Sequence, residues 1–136
     1  FGSRKINLSN ISHDFTNIVN NSIRLPIKRK DKSYVVVASR SHMNKQTENL
    51  IMDMKKKHHN IKLISKGSSL KICLVAEGSA DCYPRFAPTM EWDTAAGQAI
   101  CNFAGFELID VKTSNPMVYN RENLLNNHFI VKNNFI

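Results

Sequence analysis

The chain has 136 residues, 42% of them apolar, enough for one globular domain to bury a core without disulfide staples. No apolar run reaches the roughly 20 residues needed to span a bilayer, and the opening Phe1-Gly2-Ser3-Arg4-Lys5 shows no secretory signal core. The net charge of +8 invites a polyanionic partner, but the runs Lys28-Arg29-Lys30 and Lys55-Lys56-Lys57-His58-His59 lack interleaved aromatics; they read as solvated faces, and nucleic acid is disfavoured.

In chain order, residues 1–33 are polar and weakly patterned, with a short strand expected over 4–6 and loops elsewhere. Residues 34–38 (Tyr-Val-Val-Val-Ala) form a continuous β-branched run, the signal of a buried strand, and run into Ser39-Arg40-Ser41-His42. Over 44–57 the pattern turns helical, with Leu50, Ile51 and Met54 on one face. Residues 61–64 alternate as a second strand. Gly67-Ser68-Ser69 opens an apolar helix over 70–76 that Gly78 ends. A strand over 80–83 is expected to stop at Pro84 and Pro88. A small-residue helix follows over 94–104, entered through Trp92-Asp93 and closed by Gly105, then a strand over 106–111, a turn over 113–116 and a last strand over 129–132. Strands alternating with helices indicate an α/β layer structure. Cys73, Cys82 and Cys101 are odd in number and have no C-x-x-C spacing. Neither a disulfide framework nor a zinc ribbon follows from them, and they suit a reducing, cytoplasmic setting.

Three features carry candidate chemistry. Asp93 opens a helix, which reads either as a cap or, beside the small Ala95, Ala96 and Gly97, as a carboxylate for a hard cation such as Mg²⁺. Ser68 and Ser69 open another helix, where a Ser is either a plain cap or part of a phosphate site, and Lys71 is either solvated or turned toward the same anion. Arg40, His42 and Arg85 follow strands, where an α/β sheet places ligand groups; arginine suits phosphate through its planar fork. Asp81 reads as a turn or supporting residue, and Trp92 and Tyr83 as core or pocket wall.

The stretch Trp92-Asp93-Thr94-Ala95-Ala96-Gly97-Gln98-Ala99-Ile100, closed by Gly105, resembles the carboxy-terminal signature of the inositol monophosphatase superfamily. Ser39-Arg40-Ser41-His42, Gly67-Ser68-Ser69-Leu70-Lys71, Tyr83-Pro84-Arg85 and the tail from Tyr119 to Asn126 are similar to its bacterial bisphosphate-nucleotidase branch. The likeness runs from about residue 34 to 131. Phe106 departs from the signature's second closing small residue, a matter of packing more than chemistry.

The resemblance implies a layered αβαβα sandwich of the sugar-phosphatase kind, of which this chain would be the carboxy-terminal lobe. Residues 1–33 would be a remnant of the middle sheet and 34–136 the lobe itself. It implies Asp93 as a Mg²⁺ ligand facing the scissile phosphate, and Arg40, His42, Ser68, Lys71 and Arg85 binding a small phosphorylated nucleotide. The superfamily's D-P-x-D-G-T segment and upstream Glu do not occur here; the chain has no Asp-Pro and no Asp-Gly. The expectation is therefore a partial phosphatase, inactive alone, which self-associates or pairs with a companion amino-terminal half. The complete enzyme would hydrolyse adenosine 3′,5′-bisphosphate; alternatives are an inositol- or sugar-phosphate phosphatase and a non-catalytic nucleotide-binding fragment.

Overall fold

The computed structural model describes residues 2–7, 9, 14–39 and 43–133. The β-branched run becomes β3 (Tyr34–Ala38), next to β4 (Ile61–Ser65), and the two pair in parallel with Val36 opposite Leu63. On its other side β3 meets β5 (Cys82–Arg85) in parallel through Val36 and Cys82. The last strand, β7 (Phe129–Asn133), inserts antiparallel between β5 and β6 (Phe106–Asp110), giving the order β4-β3-β5-β7-β6.

Successive strand residues point to opposite faces, so one sheet serves two cores. On one face Val35 and Val37 pack with Phe129, Val131 and Leu108 against α3 (Leu70–Ala76) and α4 (Glu91–Phe103), through Ile72, Val75 and Cys101. On the other, Val36 and Cys82 meet Ile51 of α2 (Lys45–Lys57). Complete burial of Phe129 contributes about 1.5–3 kcal/mol relative to an exposed ring. Asn44 starts α2: its Oδ1 accepts from the Thr47 N–H at 3.0 Å, and three lysines in the last turn complement the dipole. No helix of the described residues is long and apolar enough to cross a membrane.

Several elements differ from the sequence reading. Residues 1–33 are not loops after the first strand: β1 (Arg4–Lys5) pairs antiparallel with β2 (Ile23–Arg24), and α1 (Phe15–Asn20) is capped by the Asp14 carboxylate. This segment is tied to the rest. Leu25 enters the larger core, Ile27 N–H donates to Glu77 O at 2.8 Å, and Lys5 pairs with Glu77 at 2.6 Å. Gly78 has φ +88, and a Cβ there would lie 2.4 Å from Ile27 O, so only glycine fits the junction. Pro84 does not stop β5 but lies inside it, opposite Ile130. By that point β5 has passed its one pairing with β3, and the missing N–H disturbs no ladder on that side. Arg29 is not a solvated charge: it pairs with Asp81 and donates to Ser79 O at 2.9 Å. Asp81 also accepts from Val35 N–H at 2.7 Å and does not line the cleft described below.

Candidate functional site

The parallel strands deliver their carboxyl ends to one side of the sheet, and a cleft of about 390 Å³ opens there. Ser39 enters it from the end of β3, Gly67 to Ser69 from the turn after β4, Arg85 from the end of β5, and Trp92, Asp93 and Thr94 from the first turn of α4. Tyr83 and Phe129 line it from the sheet. Four of the expected site residues, Ser68, Lys71, Arg85 and Asp93, thus share one cleft. Arg40 and His42 lie outside the described residues.

Lys71 is not the solvated lysine of the plainer reading. It is 3% exposed, with its ammonium donating to Ser68 O at 2.8 Å and to Lys66 O at 3.3 Å, 5.2 Å from the centre of the Tyr83 ring. Burial, and then the nearby Arg85 guanidinium, hold its pKa below the usual lysine value. Arg85 spends one donor on Pro88 O at 3.1 Å, while its buried Nε has no partner among the described residues. An unmet charged donor beside a second cation favours an incoming anion. Burial also pushes the Tyr83 phenol up to about 12, so it stays neutral.

Ser69 is the N-cap residue of α3, but its hydroxyl does not cap the helix. Ser68 takes a left-handed φ of +54 with its hydroxyl 3.5 Å from that of Ser69. Asp93 differs from expectation as well. The helix begins at Glu91, with Met90 extended before it, so Asp93 is its third residue and not its cap. Its Oδ2 reaches back to accept the Met90 N–H at 2.8 Å, closing the first turn. The residue is exposed on the cleft wall. Trp92 stands at the same wall, 67% exposed, and is pocket wall without being core.

Sequence reasoning passed over Glu91. It is buried, and its carboxylate accepts from the N–H groups of Asn120 and Arg121 and from Arg121 Nε at 3.0 Å. A carboxylate at the start of a helix looks like ordinary dipole compensation; its partners lie 30 residues away, where no local pattern could reveal them.

Residues 15–134 match the inositol monophosphatase family. The chain belongs to that family. It is 41% identical over 111 residues to the 3′(2′),5′-bisphosphate nucleotidase CysQ of Escherichia coli strain K12, a match covering 80% of this chain and 43% of that protein. The namesake of Buchnera aphidicola is 49% identical over 71 residues, 52% of this chain and 25% of the relative. The crystal structure of CysQ from Bacteroides thetaiotaomicron superposes with a TM-score of 0.83 at 52% identity, covering 93% of this chain and 46% of that one. Inositol monophosphatase II of Staphylococcus aureus, at 14% identity, has a TM-score of 0.57 over 80% of this chain and 39% of its own; it shares the fold. The chain thus spans about half the length of the curated relatives it matches. The mixed sheet between helix layers is the architecture of this family.

Proposed function

We propose that this chain supplies the phosphate-binding wall of a phosphatase whose substrate is a small phosphorylated nucleotide, adenosine 3′,5′-bisphosphate, cleaved at the 3′-phosphate to AMP and phosphate. The observation that carries this reading is buried Lys71 beside the partly unmet Arg85 in the cleft that Asp93 also lines. The relative of 41% identity is named for bisphosphate nucleotides, and the 52% identical structure shares its name CysQ; both favour the nucleotide over an inositol or sugar phosphate, since the Staphylococcus aureus inositol monophosphatase II shares the fold alone. In this reading Lys71 and Arg85 bind phosphate, with the Ser68 hydroxyl at the rim. Arg40 and His42 contact the nucleotide.

Family enzymes of this kind work with a metal, for which Mg²⁺ is our assignment. Asp93 has the right chemistry for one ligand: a hard oxygen, exposed on the cleft wall, with one carboxylate oxygen committed to Met90 N–H. The described residues gather no group of three metal-binding side chains, so they do not make a complete Mg²⁺ site. Bound in such a cleft, Mg²⁺ would lower the pKa of a water and offset charge on phosphate oxygens. The contribution of this chain is to hold the phosphate against Lys71 and Arg85 and to present Asp93.

The test is hydrolysis by the complete protein that carries this chain, with Mg²⁺, of adenosine 3′,5′-bisphosphate beside inositol 1-phosphate and fructose 1,6-bisphosphate. A preference of at least tenfold in kcat/KM for the nucleotide is expected; preference for either of the others overturns the assignment. The 136-residue chain by itself is expected to bind the nucleotide without turnover. Exposed Phe15, Phe103 and Val118 support self-association or pairing with a companion segment, to be read by light scattering.

A further inference from the structure

We infer that Glu91 is a positioning residue for the cleft, acting through Arg121 and Asn126 to hold the turn that carries Asp93. Asn120 has a left-handed φ of +63, which swings its own N–H and that of Arg121 toward one point. Successive backbone N–H groups so arranged form an anion-binding concavity, here filled by the Glu91 carboxylate at 2.7 Å from Asn120 N and 3.3 Å from Arg121 N. Arg121 extends the link, its Nη2 donating to Leu125 O at 3.0 Å and Asn126 Oδ1 at 3.2 Å. Asn126 completes it: its amide donates to Met90 O at 2.8 Å, Thr94 Oγ1 at 2.9 Å and Thr89 Oγ1 at 3.2 Å.

Every acceptor of the Asn126 amide lies on residues 89–94, the stretch that brings Thr89, Trp92, Asp93 and Thr94 to the cleft. The backbone repeats the connection, with Glu91 N–H donating to Leu124 O at 3.0 Å and Asn126 N–H to Thr89 O at 2.8 Å. Lys71 and Arg85 reach the cleft from α3 and β5, elements this network does not hold. Loss of the Glu91 charge therefore displaces the Asp93 side of the cleft and leaves the cationic side in place. For Asp93 to serve turnover the inference rests on the phosphatase reading; the geometry it describes does not.

Two measurements on Glu91→Gln separate the two. In the 136-residue chain, hydrogen exchange at the amides of residues 90–94 should speed up at least tenfold, with those of β3 and β7 unchanged. In the complete protein, kcat for adenosine 3′,5′-bisphosphate should fall at least tenfold, with KM within about twofold. Exchange unchanged, or faster everywhere alike, overturns the inference, as does local loosening with wild-type kcat. If the wild-type protein hydrolyses no substrate, the phosphatase reading fails and the exchange pattern alone decides the positioning role. Should Glu91→Gln not fold, Arg121→Lys, which keeps the charge but loses the fork to Leu125 and Asn126, is held to the same outcomes.

Discussion

Gly97 of α4 lies so close to Ile72 of α3 that a Cβ on the glycine would stand 2.9 Å from Ile72 Cδ1 and 3.0 Å from Cγ2. The absent side chain sets the distance between the two helices that flank the cleft.

Gly97→Ala should therefore destabilise, although alanine is the better helix former by about 1 kcal/mol. Overpacking costs about 1–3 kcal/mol where the neighbour cannot yield, and Cγ2 sits on the branched Cβ and cannot swing away. A net loss of about 1 kcal/mol, or a fall of roughly 3–5 °C in Tm, is expected by thermal denaturation. Adding Ile72→Ala should relieve it, so that the double variant is more stable than the sum of the single effects.

Lys71→Met should separate binding from stability. Burial lowers the lysine pKa in the folded state from its ordinary 10.5, so between the two values the unfolded chain holds more protons and stability rises with pH. Below that window the whole cost of the buried charge is present. Methionine fills similar space without it, so Tm at pH 7 should be equal or higher and its rise toward pH 10 should vanish. Affinity for adenosine 3′,5′-bisphosphate, measured by calorimetry, should drop at least tenfold. Unchanged affinity would remove Lys71 from the phosphate site.

Asp93→Asn keeps an oxygen for the Met90 N–H and loses only the charge in the first helical turn, worth about 0.3–1 kcal/mol. Tm should stay within a few degrees. Turnover by the complete protein should fall by orders of magnitude at saturating Mg²⁺, because under the proposed function the lost charge is the one that would meet the cation. Near-normal turnover would reduce Asp93 to a closer of the helix turn.

The acid limb of stability should carry the mark of Glu91. Burial pushes its carboxyl up, but the N–H groups of Asn120 and Arg121 and the Arg121 guanidinium outweigh it, and the net direction is down from 4.5. A carboxyl lowered on folding adds stability that is fully present above 4.5 and is lost as pH falls through the folded value. Tm recorded from pH 7 to pH 3 should fall less steeply in Glu91→Gln than in wild type.

Much of this was legible locally. The strand Tyr34–Ala38 and the helix Leu70–Ala76 have the expected bounds, because a β-branched run buried on both faces and an apolar helix stopped by glycine announce themselves. The convergence of Ser68, Lys71, Arg85 and Asp93 was implied by the family resemblance; their places after strands and at helix starts were compatible with it but left a cap or a solvated charge equally open. What escaped depended on distant partners. The α1 helix has six residues and buries none of them, so no apolar stripe announced it. Pro84 looked like a strand end because nothing local shows that β5 has left β3 behind. The α4 start moved to Glu91 because the 120–126 segment organises that turn from across the chain.

The position of β7 bears on the order in which the molecule can be assembled. The final strand in chain order among the described residues lies inside the sheet, with β5 on one side and β6 on the other. A growing polypeptide can zip β3, α2, β4, α3 and β5 together as they emerge, since these contacts are near in sequence. β6 packs on α4 and takes a bond from Met117 N–H to Leu108 O, but it has no strand partner until residues 129–133 are free of the ribosome. Until then the edge of β6 that receives β7 is bare, and Phe129 is missing from the cleft wall. The cleft is thus among the last parts of this chain to be completed during synthesis, and the unfinished sheet is the stage most open to wrong pairing.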